Sequence, residues 1–202
     1  ISADAFAQAV EKQDIPAMEN MLHRVPAQVG DVWLIPGRFP HAIGSGVFLL
    51  EVQEPSDWVV QPESKCADTF LTYKDMWGPL TSDIGLKCFS YIGETIEEVH
   101  HKCLHIPKTV MEDNGGKLDS VIGPESTDCF CIDKISVQSS FLVENKTPYH
   151  IEVVASGEGE INANGINIPI HRGQVFFVPY GVRTITYKAA NSPLTIFACK
   201  PH

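Results

Sequence analysis

The spacing of hydrophobic positions changes several times along the chain, and each change predicts a different kind of element. Over the first 25 residues the apolar positions recur at helical spacing. Ala3, Phe6 and Val10 share a face, Ser2 stands where an N-cap belongs, and Asp4 falls in the first turn. Asp14, followed by Pro16, predicts a second helix whose Met18, Met21, Leu22 and Val25 form a packing stripe. From Val25 onward, short β-rich runs such as DVWLIP, GVFLLEV and DWVV are separated by Pro and Gly, which predicts strands and turns. TIEEVHHKC interrupts them as one more helix, with Thr95 and Glu98 spaced as a capping box and Ile96, Val99 and Cys103 on one face. The C-terminal stretch is then all β: CIDKISVQ, SFLVENK, YHIEVVASGEGEI, GINIPIHRG, QVFFVPYG, RTITYKA and LTIFACK follow at short, even intervals. Such a series predicts a sandwich or barrel of the jelly-roll kind. Asn164-Gly165, between alternating residues, predicts a hairpin with a type I′ turn.

Two segments repeat one phrase, GDVWLIPGRFPH from Gly30 and GQVFFVPYGVRT from Gly173. In each a Gly precedes five strand residues and a Pro, and five positions after that Pro stands His41 or Thr184. An internal repeat of this length predicts two related β-modules. The spacing resembles the second sequence motif of cupins, small jelly-roll barrels in which the His is a metal ligand pointing inward; one copy keeps the ligand and the other lacks it. A neutral imidazole on a rigid strand suits zinc and other first-row metals.

Composition narrows the function classes. The 202 residues carry 15 Lys plus Arg against 25 Asp plus Glu, and a net charge of -10 argues against a generic nucleic-acid binder. With 44% hydrophobic residues the chain has ample material for a core, and no apolar run is long enough for a membrane helix. None of the six cysteines forms a C-x-x-C pair, so reduced core thiols and an intracellular, cytoplasmic setting are expected. The chain opens at Ile1 rather than Met and has no secretory signal pattern, which leads us to expect missing upstream residues. Phosphate-binding loops, dinucleotide fingerprints and serine elbows do not occur.

The stretch from Ile1 through Trp58, above all PGRFPHAIGSGVFLLEVQEPSDW, resembles the class I mannose-6-phosphate isomerases. The shared pattern runs through Gly30-Asp31, Pro40-His41-Ala42, Glu51 and Ser56-Asp57, and the C-terminal module with GEG from Gly157 resembles that family's second cupin. The resemblance implies a mainly β fold of cupin-like jelly-roll modules: a helical segment over 1–25, a partial catalytic-type module over 26–92, a connecting helix over 93–105, and a metal-less module over 106–202. It implies a zinc-dependent aldose-ketose isomerase acting on a sugar phosphate, with His41 as a metal ligand and Glu51 in the active-site pocket. By alternation Glu51 and Gln53 share a strand face opposite Leu50 and Val52.

Two departures set this chain apart from the family pattern. The family's arginine ten positions after that Glu is here Gln61, which cannot neutralise a phosphate dianion. Arg38 and Lys65 are the nearest substitutes. The family's other metal ligands precede the helical insertion and so lie before Ile1. The chain alone is therefore expected to be inactive, with a missing N-terminal segment or a second copy as its partner. A non-catalytic sugar-binding or regulatory cupin relative is the alternative. Of the remaining ligand-bearing clusters, His100, His101, Cys103 and His105 read as an exposed helix end, and His150, Glu152 and Glu158 read as a first-motif remnant without metal.

Overall fold

The computed structural model describes residues 2–54 and 58–202, and the chain divides into two compact units, Ile1–Leu104 and His105–His202. The first contains helices α1 (Ala3–Lys12), α2 (Ile15–Glu19), α3 (Tyr73–Trp77), α4 (Ser82–Leu86) and α5 (Ile96–Cys103). Its strands are two residues each: β1 (Val32–Trp33), β2 (Lys65–Cys66) and β3 (Thr69–Phe70), with β4 (Leu104–His105) at the boundary. Ser2 Oγ accepts the Ala5 N–H at the start of α1, and Asp14 Oδ1 accepts the Ala17 N–H at the start of α2. The second helix is shorter than expected. It ends at Glu19, which leaves Met21, Leu22 and Val25 outside it.

The core of this unit joins Phe6, Ala9, Val10 and Met18 to Met76 and Trp77. The rings of Phe89 and Tyr91 stand edge-on to Phe6, with centroids 5.6 and 6.0 Å away. Gln13, in a left-handed conformation at the end of α1, donates to the Pro62 carbonyl and accepts the Ser64 N–H, fixing the helix against that segment. The predicted helix at 95–103 is present with both halves of its capping box: the Glu98 N–H donates to Thr95 Oγ1, and the Thr95 N–H donates to Glu98. Ile96, Val99 and Cys103 lie on its covered face. Helices α3 and α4 arise where only strands and turns were expected, and α3 carries its own box between Thr72 and Asp75.

The strand runs read from GVFLLEV and DWVV are absent from the described residues. Residues 43–54 have no regular structure, and Val47, Phe48, Leu49 and Leu50 are all exposed. The Ser56-Asp57 pair lies outside the described residues.

The second unit is built from β5 (Lys108–Glu112), β6 (Gly116–Ile122), β7 (Phe130–Val137), β8 (Ser140–Glu144), β9 (His150–Ser156), β10 (Glu158–Ala163), β11 (Ile166–His171), β12 (Val175–Val178), β13 (Thr184–Ala189) and β14 (Leu194–Pro201). One sheet has the order β12-β9-β14-β7-β6-β5 and the other β11-β10-β13-β8. The last eight strands pair in a nested way, β7 with β14, β8 with β13, β9 with β12 and β10 with β11, while β14 also pairs with β9 and β13 with β10. Every one of these pairings is antiparallel. This is a long hairpin rolled into two sheets, the jelly roll that cupins share with other β folds. Its tip is the predicted turn, with φ 52° at Asn164 and 79° at Gly165, and Ala163 opposite Ile166.

Alternation sets the core: Ile135, Val137, Phe141, Val143, Val154, Ile161, Ile170, Val178, Ile185, Leu194 and Ile196 are buried between the sheets. The cysteines depart from the core expectation. Cys103 is buried, but Cys66 and Cys88 are exposed, and all six are free thiols.

Candidate functional site

The two copies of the repeated phrase begin alike, although the strand has two residues in the first and four in the second, and only the first has a positive φ two residues after the Pro, at Arg38. Gly30 and Gly173 both take positive φ, 99° and 88°, and a strand starts two residues later at Val32 and Val175. After the Pro, each chain turns so that the Phe39 N–H donates to the Pro36 carbonyl and the Val182 N–H to the Pro179 carbonyl, both at 3.1 Å. His41 and Thr184 come just after these turns.

His41 is exposed, and its Nδ1 lies 2.8 Å from the Phe39 carbonyl oxygen. A carbonyl can only accept, so Nδ1 carries a hydrogen and Nε2 is the remaining donor atom, but the ring is exposed rather than turned inward as the resemblance implied. Arg38 is drawn elsewhere. At φ 69° its guanidinium donates to the Lys87 and Cys88 carbonyls at 3.4 and 3.3 Å, and its own carbonyl accepts the Ser90 N–H. It clamps the turn onto the 87–90 segment. Glu51 is exposed and makes no hydrogen bond or ion pair with another described residue, and the face-sharing with Gln53 has no strand to define it. Gln61 is half-buried and donates its backbone N–H to the Met76 carbonyl, while Lys65 is exposed on β2. No hydrogen bond or ion pair joins His41, Glu51, Gln61 and Arg38 to one another.

Among the described residues no three His, Cys, Asp or Glu side chains come together as a metal site. The zinc expectation therefore fits in one donor only, the free Nε2 of His41, against the four ligands that zinc takes. The His-rich end of α5 is divided among other partners: His100 stacks edge-on against Trp33 at 5.4 Å, and Cys103 is buried with burial pushing its thiol pKa up.

Sequence reasoning undervalued a polar network inside the jelly roll. His150 and Glu152 share the inward face of β9, 4% and 0% exposed, beside Val154. Glu152 Oε1 accepts the Tyr187 hydroxyl at 2.6 Å and lies 2.8 Å from His150 Nε2, whereas Glu152 Oε2 is buried with no partner among the described residues. Burial first, then the charge of Glu152 and its hydrogen bond, hold the Tyr187 phenol far above its usual pKa. The signal was the parity of RTITYKA, in which Tyr187 shares the buried face with Ile185.

The fold of the second unit thus places this chain in the jelly-roll class. In sequence it is similar to proteins named as mannose-6-phosphate isomerases. The Bacillus subtilis mannose-6-phosphate isomerase ManA is 24% identical over 186 residues, 86% of this chain and 53% of the relative. A probable mannose-6-phosphate isomerase, GmuF, of the same organism is 25% identical over 87% of the chain and 50% of its own length. The Streptococcus mutans mannose-6-phosphate isomerase is 22% identical over 91% of the chain and 57% of its own length. The chain spans about half the length of these curated relatives. No family model matches it. Among solved structures, the mannose 6-phosphate isomerase from Bacillus subtilis aligns with TM-score 0.46 and 14% identity over 64% of this chain and 37% of that one. A cupin 2 conserved barrel domain protein from Salinispora arenicola aligns with TM-score 0.40 and 16% identity over 56% and 89%. The strand order, rather than these neighbours, defines the fold.

Proposed function

We propose that this chain is part of an aldose-ketose isomerase that interconverts mannose 6-phosphate and fructose 6-phosphate in the cytoplasm. The observation that carries the reading is its similarity, across 86 to 91% of its length, to proteins named for that activity. In this reading residues 26–92 are part of a catalytic cupin module and 106–202 form a second, metal-less one. Such isomerisation moves a proton between adjacent carbons through an enediol, and a bound metal, zinc in this reading, would supply Lewis-acid polarisation of the sugar oxygens. His41 would supply one nitrogen donor toward that metal through Nε2, since Nδ1 is engaged with the Phe39 carbonyl. Glu51, exposed and unpaired among the described residues, is free to take up a proton. Gln61 offers hydrogen bonds but no charge to the phosphate, and Arg38 is engaged with backbone carbonyls. The remaining donors and a phosphate-binding cation would have to be supplied by residues other than these four.

The test is turnover of mannose 6-phosphate, together with metal content, for the 202-residue chain and for a form extended upstream. We expect an inactive short chain and an active, metal-containing longer one that loses its metal on His41→Ala. Neither turnover nor metal in the longer form overturns the isomerase reading. A second reading, a non-catalytic sugar-binding relative, is favoured by Gln61 and Thr184, which stand where charge and an imidazole were expected. Sugar phosphate binding without turnover in the longer form would establish it.

A further inference from the structure

The polar network inside the jelly roll has a directionality that fixes its protons. Asn145 Nδ2 donates to the Val182 carbonyl at 2.8 Å, so the amide oxygen Oδ1 must face the other way. There it accepts the Thr147 N–H at 3.1 Å and the Thr147 hydroxyl at 2.9 Å. That hydroxyl has a single hydrogen, and it is committed to Asn145. Thr147 Oγ1, 3.3 Å from His150 Nδ1, can therefore only accept, and Nδ1 must carry a hydrogen. On the other side of the ring, Nε2 meets Glu152 Oε1, which already accepts the Tyr187 hydroxyl. An ionised carboxylate oxygen accepts both donors, whereas an acid hydroxyl at Oε1 would give its own hydrogen to Nε2 and leave the ring neutral, so the two states differ in where that one proton sits.

We infer that His150 is a buried imidazolium, paired with the Glu152 carboxylate, and that its extra proton latches the 145–149 connection onto β9. The ring donates in two directions at once, to Glu152 on β9 and to Thr147 in the 145–149 connection. That connection is in turn tied to the turn after Pro179, through Asn145 Nδ2 to the Val182 carbonyl and the Asn145 N–H to the Arg183 carbonyl. Loss of the proton to water leaves one N–H for two acceptors. Either the Thr147 bond lapses, or the Glu152 charge is stranded with only Tyr187 beside it, which deep burial makes costly.

The surroundings contain little that could take over this role. Ala198 of β14 stands opposite both Glu152 and Asp133 of β7, and Asp133 is already paired with Lys200. Cys199 of β14 feels Glu152, with its thiol pushed up by burial and then by that charge. β12 places Phe176 opposite Glu152, and β8, β10 and β11 present Phe141, Val143, Ile161 and Ile170 to the interior, all without charge. Tyr187 of β13 is the other titratable group hydrogen-bonded to Glu152 among the described residues.

Two measurements on the full chain test the latch. With 15N-labelled histidine, the ring nitrogens of His150 should both carry hydrogen at neutral pH, and Glu152→Gln should return the ring to its neutral form. Amide exchange of residues 145–149 and 182–184, corrected for intrinsic rate, should quicken on the order of tenfold once alkali strips the extra proton from the ring, the loss being read from the same 15N signals. Tyr187→Phe should retain that response, because its hydroxyl does not supply the proton concerned. An unprotonated ring nitrogen in the native protein at neutral pH overturns the inference, as does protection that stays level while the 15N signals report loss of the proton. Both outcomes are read from the unaltered chain, so a variant that fails to fold leaves the test intact.

Discussion

Replacing Tyr187 by Phe removes a single oxygen from the centre of the jelly roll and leaves the ring in place. The residue is 1% exposed, so the site gains almost no cavity and the effect isolates the hydroxyl. That hydroxyl donates to Glu152 Oε1 at 2.6 Å, and the other carboxylate oxygen has no partner among the described residues. Glu152 would be left with His150 as its sole donor. A hydrogen bond to a charged group contributes about 1.5 to 3 kcal/mol, and an underbonded buried carboxylate puts this one toward the upper half, so we expect a loss of about 2.5 kcal/mol. With a urea dependence of about 2 kcal/mol per molar, the midpoint should fall by roughly 1 M. The three tryptophans, Trp33, Trp58 and Trp77, all belong to the first unit. The jelly roll is therefore best monitored by far-UV circular dichroism and by amide exchange at Val154, Ile185 and Ile196. Tyr149→Phe, at a half-exposed ring, serves as control and should shift stability by less than about 0.5 kcal/mol. A Tyr187→Phe midpoint indistinguishable from that control would refute the view that the buried carboxylate depends on this donor.

Alkaline pH should destabilise the same unit. The Tyr187 pKa is raised in the folded state, so above about pH 10 the native protein retains a proton that the unfolded chain gives up. The contribution is complete below that pH and declines above it by about 1.4 kcal/mol per pH unit, a slope that urea titrations should show in the parent and not in Tyr187→Phe. Gly159→Ala would drive its Cβ into the Lys188 carbonyl oxygen across the β10–β13 ladder, and we expect at least about 2 kcal/mol of lost stability by denaturant melts. Thr95→Ala deletes one half of the α5 capping box and should cost about 1 kcal/mol, measured as faster amide exchange at Glu98 and Val99.

Features governed by neighbours in sequence were legible from the chain alone. Ser2, Asp14 and the Thr95–Glu98 box cap where their spacing predicts, and Asn164-Gly165 turns as its positive-φ requirement demands. The jelly-roll strands were legible because each alternates against a partner within the same stretch of chain. GVFLLEV shows the limit. Its composition is that of a strand, but a strand is stabilised by cross-strand pairs, and none of the described residues supplies them to 43–54. The short α3 was signalled by Thr72 and Asp75, a box of the same kind as that of α5, hidden within a segment whose Pro and Gly suggested turns. Side-chain encounters were the least legible. Local spacing places His150 beside Glu152, but only the β13 register brings Tyr187, 35 residues onward, to the same carboxylate. No spacing rule revealed that Arg38 is spent on the carbonyls of residues 87 and 88.

The nested pairing of the roll also has a consequence for biosynthesis. Phe130 lies opposite Pro201, so β7, the strand that opens the roll, meets β14 only after nearly the whole unit has left the ribosome. At roughly 5 to 20 residues per second, the nascent strands wait several seconds with their inner faces bare. Long-range pairing of this kind also slows folding once the chain is free. Expression at reduced temperature, or with chaperones in supply, should therefore decide how much of this protein is recovered in usable form.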